Sequence, residues 1–162
     1  MSEREDLRPW AQRVEDALDA KVAEFPEGYL ESAFVRGTTN LTLLAGTGTT
    51  WTDISGITLS MACDLNDILI AVFTAAHSTD GTDDPRFRLV LDGSEILRSG
   101  GRPAQRRGCV KLITRKAGLS AGTHTIKVQW RHSTGGIHSQ ALNCLTAPTT
   151  DHCALLVKRL RA

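Results

Sequence analysis

Apolar residues recur with two different periods along this chain, and the change of period falls at Pro26. Before it, Leu7, Ala11, Val14, Leu18, Val22 and Phe25 follow one another at steps of three or four residues. That spacing collects them into one stripe of an amphipathic helix, with Trp10 on its flank. Asp6 is suited to cap the start, which leaves Pro9 in the first turn, where its missing N–H costs little, and Pro26 closes the other end. The pattern predicts a helix over residues 6–25. So short a helix is marginal alone and must bury its stripe, either on the rest of this chain or in a bundle around a symmetry axis or on a partner.

From Tyr29 onward the period is two. Short extended runs separated by Gly, Asn, Asp and Pro predict strands over Leu30–Arg36, Asn40–Ala45, Thr49–Ile54, Ile57–Cys63, Ile68–Ala76, Arg86–Leu91, Glu95–Arg98, Cys109–Arg115, Thr123–Arg131, Ile137–Cys144 and Cys153–Leu160. Such a series fits an antiparallel jelly-roll sandwich, a mainly β fold with a single N-terminal helix. The segment Leu119–Arg131 reads as its central strand: Ile126, Val128 and Trp130 share the core face, and Thr125, Lys127, Gln129 and Arg131 share the other. Phe87, Leu89 and Leu91 alternate in the same way and run into an Asp92-Gly93 hairpin turn. Ile68–Ala76 and Cys153–Leu160 are apolar on both faces, so their outer side needs cover from the helix or from another subunit.

Length and charge refine this picture. The chain of 162 residues suits one domain with an appendage, residues 1–27 as anchor or trimerisation element and 28–162 as the sandwich. Residues 1–27 hold eight acidic residues against four basic ones, a balance of −4 that leaves +5 for the remainder of a chain whose net charge is +1. This asymmetry predicts surfaces facing different neighbours, without the dense basic stripe of a nucleic-acid binder. No run approaches the roughly 20 apolar residues of a membrane span, and the charged N-terminus lacks a secretory h-region. A soluble protein made in the cytoplasm is therefore expected. Cys63, Cys109, Cys144 and Cys153 form no C-x-x-C pair and read as small buried hydrophobes.

Candidate chemistry is sparse. His124 and His132 have the parity of the apolar face of one strand but lie too far apart to chelate together, so they read as satisfied rim residues. His77, His138 and His152 form no metal-binding motif, and Asp80-Gly81-Thr82-Asp83-Asp84 lacks the ordered ligands of an EF-hand loop. There is no G-x-S-x-G elbow and no recognisable Cys–His pairing, so neither enzyme activity, metal nor cofactor is expected. Arg98–Arg107 packs Arg98, Arg102, Arg106 and Arg107 among Gly and Pro and reads as a mobile, solvated basic connection; the alternative is a docking loop whose guanidinium forks meet an acidic surface.

Several segments of the body, taken in order, carry a family resemblance. They are Trp51-Thr52-Asp53-Ile54, Gly56-Ile57-Thr58-Leu59, Asp67-Ile68-Leu69-Ile70, Phe87 to Gly93, Ala121-Gly122-Thr123-His124-Thr125 leading to Gln129-Trp130-Arg131, and Cys153 to Lys158. Together they resemble the small jelly-roll virion proteins of tailed bacteriophages. The resemblance implies a trimer of sandwich domains similar to tumour-necrosis-factor and complement-type globular heads, noncatalytic and located in the virion after assembly in the host cytoplasm. A capsid decoration or head-spike protein is the expected role, with itself and the major capsid protein as partners. The alternative is a tail-associated fibre or receptor-binding domain recognising host surface glycans. For assembly contacts the expected residues are Leu7, Trp10, Val14, Leu18 and Phe25 of the helix, with Arg102, Arg106 and Arg107 of the basic loop.

Overall fold

The structure, a computed structural model of the chain, describes residues 29–37, 41–43, 49–79, 85–99, 107–132, 140–143 and 153–161. The described residues form ten strands: β1 Tyr29–Arg36, β2 Leu41–Leu43, β3 Thr52–Cys63, β4 Ile68–Thr79, β5 Pro85–Leu91, β6 Ser94–Arg98, β7 Arg107–Lys116, β8 Gly122–His132, β9 Gln140–Asn143 and β10 Ala154–Leu160. All pairings are antiparallel. They nest: β5 pairs with β6, β4 with β7, β3 with β8 and β1 with β10, like one long hairpin rolled up on itself. Three further pairings, β5 with β8, β4 with β10 and β4 with β9, stitch the roll into two sheets, with β2 paired to β9 at the end of the larger one, a jelly-roll sandwich. The smaller sheet has the order β3-β8-β5-β6. In the larger one β4 is central, with β7 along one edge and β10 followed by β9 along the other; β1 and β2 extend it.

The core sits between the sheets. Ile126, Val128 and Trp130 of β8 are buried there, opposite Leu69, Ala71, Phe73 and Ala75 of β4 and Leu155 and Val157 of β10. At its centre Phe87 stacks on Trp130 with ring centroids 6.4 Å apart and meets Phe73 and His77 of the other sheet at 5.9 Å each. Aromatic contacts therefore tie the two sheets together. The Asp92-Gly93 turn has positive φ at both central residues, 48° and 84°, the type I′ geometry whose twist matches the flanking strands.

Several expectations are corrected. Residues 49–54 and 57–63 are not two strands. Residues 52–63 form one strand, β3, with 49–51 ahead of it, and its register slips by three residues between Asp53 and Thr58, with Gly56 at φ 77°. The bulge lets Ile54 and Ile57, three residues apart, both face the core, and an alternation that changes parity reads as a break. His124 and His132 bracket the apolar inner face of β8 at its two ends, as their parity predicts, and both are buried there, His132 fully so. Cys63 and Cys153 are buried, but Cys109 is exposed because β7 turns it to the outer side of the larger sheet. The helix over residues 6–25 with Leu7, Trp10, Val14, Leu18 and Phe25 lies outside the described residues, as do Arg102, Arg106, the loop 80–84, His138, His152 and Cys144. Among the described residues there is no helix.

Candidate functional site

The outward face of the larger sheet is apolar across four strands. Register places Phe34 of β1 opposite Leu156 of β10, Leu156 opposite Val72 of β4, and Val72 opposite Ile113 of β7, so the four side chains form one row on one face. Ile68, Ile70 and Leu160 continue it and, with Val72 and Leu156, make a second apolar cluster separate from the core. This is why β4 and β10 read as apolar on both faces: one set of side chains fills the sandwich and the other builds this cluster. The row's inner members are buried, whereas Phe34 and Ile113 at its ends are 47% and 51% exposed. No described strand lies over this face, since all ten belong to the two sheets. The next row, Ser32, Lys158, Ile70 and Arg115, brings charge into it, and Lys158 is only 1% exposed.

The outward face of the smaller sheet is polar and cationic. Asp53, Gln129, Arg88 and Arg98 form a row across β3, β8, β5 and β6, and Arg131 and Arg86 pair in the neighbouring row. Glu95 bridges two of these arginines. It accepts from Arg98 Nε at 2.9 Å and Nη2 at 2.7 Å, a two-pronged carboxylate contact, and from Arg88 Nη1 at 3.1 Å. Asp53 accepts from Gln129 Nε2 at 2.5 Å and Lys127 Nζ at 2.9 Å. These two bonds, Gln129's first, hold its carboxyl below the usual range, as the Arg98 contact does for Glu95. Trp51, just ahead of β3, lies among the guanidinium carbons of Arg88, Arg131 and Arg98, at 4.4, 4.8 and 5.4 Å from its ring centroid.

A third site is a corner joining the β5–β6 turn to the start of β8. His124 Nδ1 lies 2.6 Å from Asp92 Oδ2, and Nε2 lies 2.9 Å from the Ser120 carbonyl. Asp92 also accepts the Thr125 N–H at 2.8 Å and donates its own N–H to the Thr125 carbonyl. The Ser120 carbonyl first, then Asp92, raise the His124 pKa against the opposing effect of burial. At Asp92 burial works upward, but the bonds from His124 and Thr125 prevail and its pKa is lowered. At the same end of the sandwich Asp67, 1% exposed, accepts from the Asp64 N–H at 2.7 Å and from Arg159 Nε at 2.5 Å. These bonds overcome burial and hold its carboxyl low.

Of the residues expected at assembly contacts, only Arg107 falls among those described, as the first residue of β7. The arginine–tryptophan face was missed. Trp51, Arg86, Arg88, Arg98 and Arg131 are scattered over 80 residues, and only register brings them together; the local signals were the outward parity of Arg86 and Arg88 beside Phe87 and Leu89 and of Lys127 and Arg131 beside Val128 and Trp130.

No family model matches the chain, and no curated protein matches it. Among solved structures, it is similar to the Eiger TNF of S. frugiperda (10% identity, 84% of this chain and 96% of that one, TM-score 0.48). It is also similar to dimeric latent PorU of Porphyromonas gingivalis (10% identity, 83% of this chain but 13% of that one, TM-score 0.46). A family two carbohydrate esterase of Clostridium thermocellum, in complex with cellohexaose, matches at 17% identity over 67% of this chain and 34% of that one, with a TM-score of 0.29. All three scores lie below 0.5, and the sandwich assigned here rests on the chain's own strand pairing.

Proposed function

We propose that this protein is a noncatalytic assembly module of a tailed-phage virion, a homotrimer that decorates the capsid, with residues 1–27 as its anchor or trimerisation element. The observation that carries the assembly reading is the row Phe34, Leu156, Val72, Ile113, with exposed aromatic and aliphatic side chains at its two ends. These ends lie three strands apart, about 14 Å at the usual strand spacing. They are different patches on one subunit, which is what a cyclic head-to-tail contact needs: the Phe34 edge of one copy meets the Ile113 edge of the next, and the ring closes. Exposed apolar groups of this size flanking an apolar cluster are the usual mark of an interface. The virion role is carried by the sequence resemblance in residues 48–160.

Sedimentation of the full chain tests the assembly, with a trimer expected at micromolar concentration; a stable monomer overturns it. Copy number per purified particle tests the role, with hundreds expected for capsid decoration and a few trimers pointing to the tail.

A further inference from the structure

The outward face of the smaller sheet carries charge that the assembly reading leaves unused. Five cations, Arg86, Arg88, Arg98, Lys127 and Arg131, face two carboxylates, Asp53 and Glu95, which leaves a net of +3 on one side of a four-stranded sheet. Three of the guanidinium groups converge on Trp51 at 4.4 to 5.4 Å, so every pair of them lies within about 10 Å, of the order of the Debye length, and their repulsion is poorly screened. Glu95 relieves it for Arg88 and Arg98 only. Arg131 gives one hydrogen bond, to the Thr49 carbonyl, and neither Arg131 nor Arg86 has a carboxylate partner among the described residues; the Nε–H groups of both are buried without an acceptor. Like charge gathered in excess of its partners raises the local concentration of anions.

The chemistry of the anion follows from the same side chains. Arg98 and Arg88 already hold a carboxylate, that of Glu95, through a fork and a single bond, so the face is built in carboxylate-binding geometry. A protein partner would need an apolar anchor at the centre of its footprint. The exposed large hydrophobic residues among those described are Phe34, Leu65 and Ile113, and none lies on this face. Nucleic acid would need a bare aromatic ring for stacking, but three guanidinium groups crowd the Trp51 ring. We infer that this arginine–tryptophan face binds an acidic polysaccharide through its sugar carboxylates. The inference stands apart from the assembly reading, because it concerns the opposite sheet and holds for a monomer as for a trimer.

The test uses the full-length protein and polygalacturonate as probe, with neutral dextran and a single-stranded oligonucleotide of matched charge as comparison arms. Polygalacturonate binding is expected, weakening between about 50 and 200 mM salt, with none to dextran. The double variant Arg88→Gln/Arg131→Gln is expected to bind about tenfold more weakly, while Lys111→Gln/Lys116→Gln on the larger sheet binds as the parent does. Arg86→Gln breaks no ion pair among the described residues and keeps the test open should the double variant misfold; a loss of about threefold is expected from it. The inference is overturned if the parent does not bind polygalacturonate, if dextran binds equally, if the oligonucleotide binds more tightly, or if folded arginine variants bind unchanged.

Discussion

The His124 corner makes a prediction whose sign and size can be worked from its geometry. Both ring nitrogens face acceptors, a carboxylate at 2.6 Å and a carbonyl at 2.9 Å, and only the imidazolium donates to both. Neutral imidazole has one N–H, so deprotonation removes one hydrogen bond, turns a lone pair toward an oxygen and cancels the attraction to Asp92. A hydrogen bond involving a charged group is worth about 1.5 to 3 kcal/mol; the Asp92 side chain is 45% exposed, and screening brings the expected contribution down to about 1 to 2 kcal/mol. The folded His124 pKa is raised above its unfolded value of about 6.5. The stabilisation is therefore fully present below about pH 6 and is lost as the pH rises through the folded pKa. For a chain of this size that corresponds to about 2 to 8 °C in Tm. The assay is calorimetric Tm between pH 5.5 and pH 9 at fixed protein concentration, for the parent and for Asp92→Asn. Asparagine tolerates the left-handed backbone at this turn, so the variant keeps the hairpin and loses the charge partner. The two profiles are expected to diverge at low pH and converge at high pH; parallel profiles would refute the imidazolium assignment.

Other outcomes follow from the same physics. Phe87→Ala removes the ring that touches Phe73, His77 and Trp130 and is expected to cost about 3 to 5 kcal/mol, measured by urea denaturation, as is Trp130→Ala; Phe87→Leu keeps most of the volume and costs under about 2 kcal/mol. Phe34→Asp/Ile113→Asp, at two exposed sites, changes the stability of the isolated fold by less than about 0.5 kcal/mol each, yet is expected to dissociate the proposed trimer to monomers in sedimentation. Gly93→Ala meets no atom within 4 Å, so its cost is backbone strain at φ 84°, about 1 to 2 kcal/mol by thermal melting. Asp67→Asn lowers stability at neutral pH and flattens the acid limb of the pH–stability curve below about pH 4. The depressed carboxyl contributes above its unfolded pKa, and that contribution is lost as pH falls through the folded one.

Alternation made β5 and β8 legible from sequence because each has one face in the core and one in water, and the Asp-Gly pair fixed the turn after β5 because few dipeptides accept two positive φ angles. The apolar runs in β4 and β10 announced a second buried face but not what it joins, since period alone carries no partner. Pairing was the missing information. Parity told on which side of β8 His124 lies, but Asp92, its partner, stands 32 residues earlier and is brought to it by the β5–β8 register. In β3 the local pattern misled outright, because β3 advances five residues from Asp53 to Thr58 while β8 advances two from Gln129 to Lys127, and the extra residues bring Ile54 and Ile57 onto the same face.

The two outward faces have opposite characters, and the nested pairing is what keeps them apart. The chain crosses from one sheet to the other between β4 and β5, so β4 contributes an apolar outer row to one side while β5 contributes Arg86 and Arg88 to the other. The apolar row and the arginine–tryptophan face then lie back to back across one core. Copies joined through Phe34 and Ile113 would leave Arg86, Arg88, Arg98 and Arg131 turned outward on every subunit, so association would multiply a weak charge contact without burying it. Loss of trimers through Phe34→Asp/Ile113→Asp is thus expected to lower the avidity for a polymeric anion while the affinity of each face for a short acidic oligosaccharide stays as it was. The two kinds of variant separate assembly from binding in a single molecule.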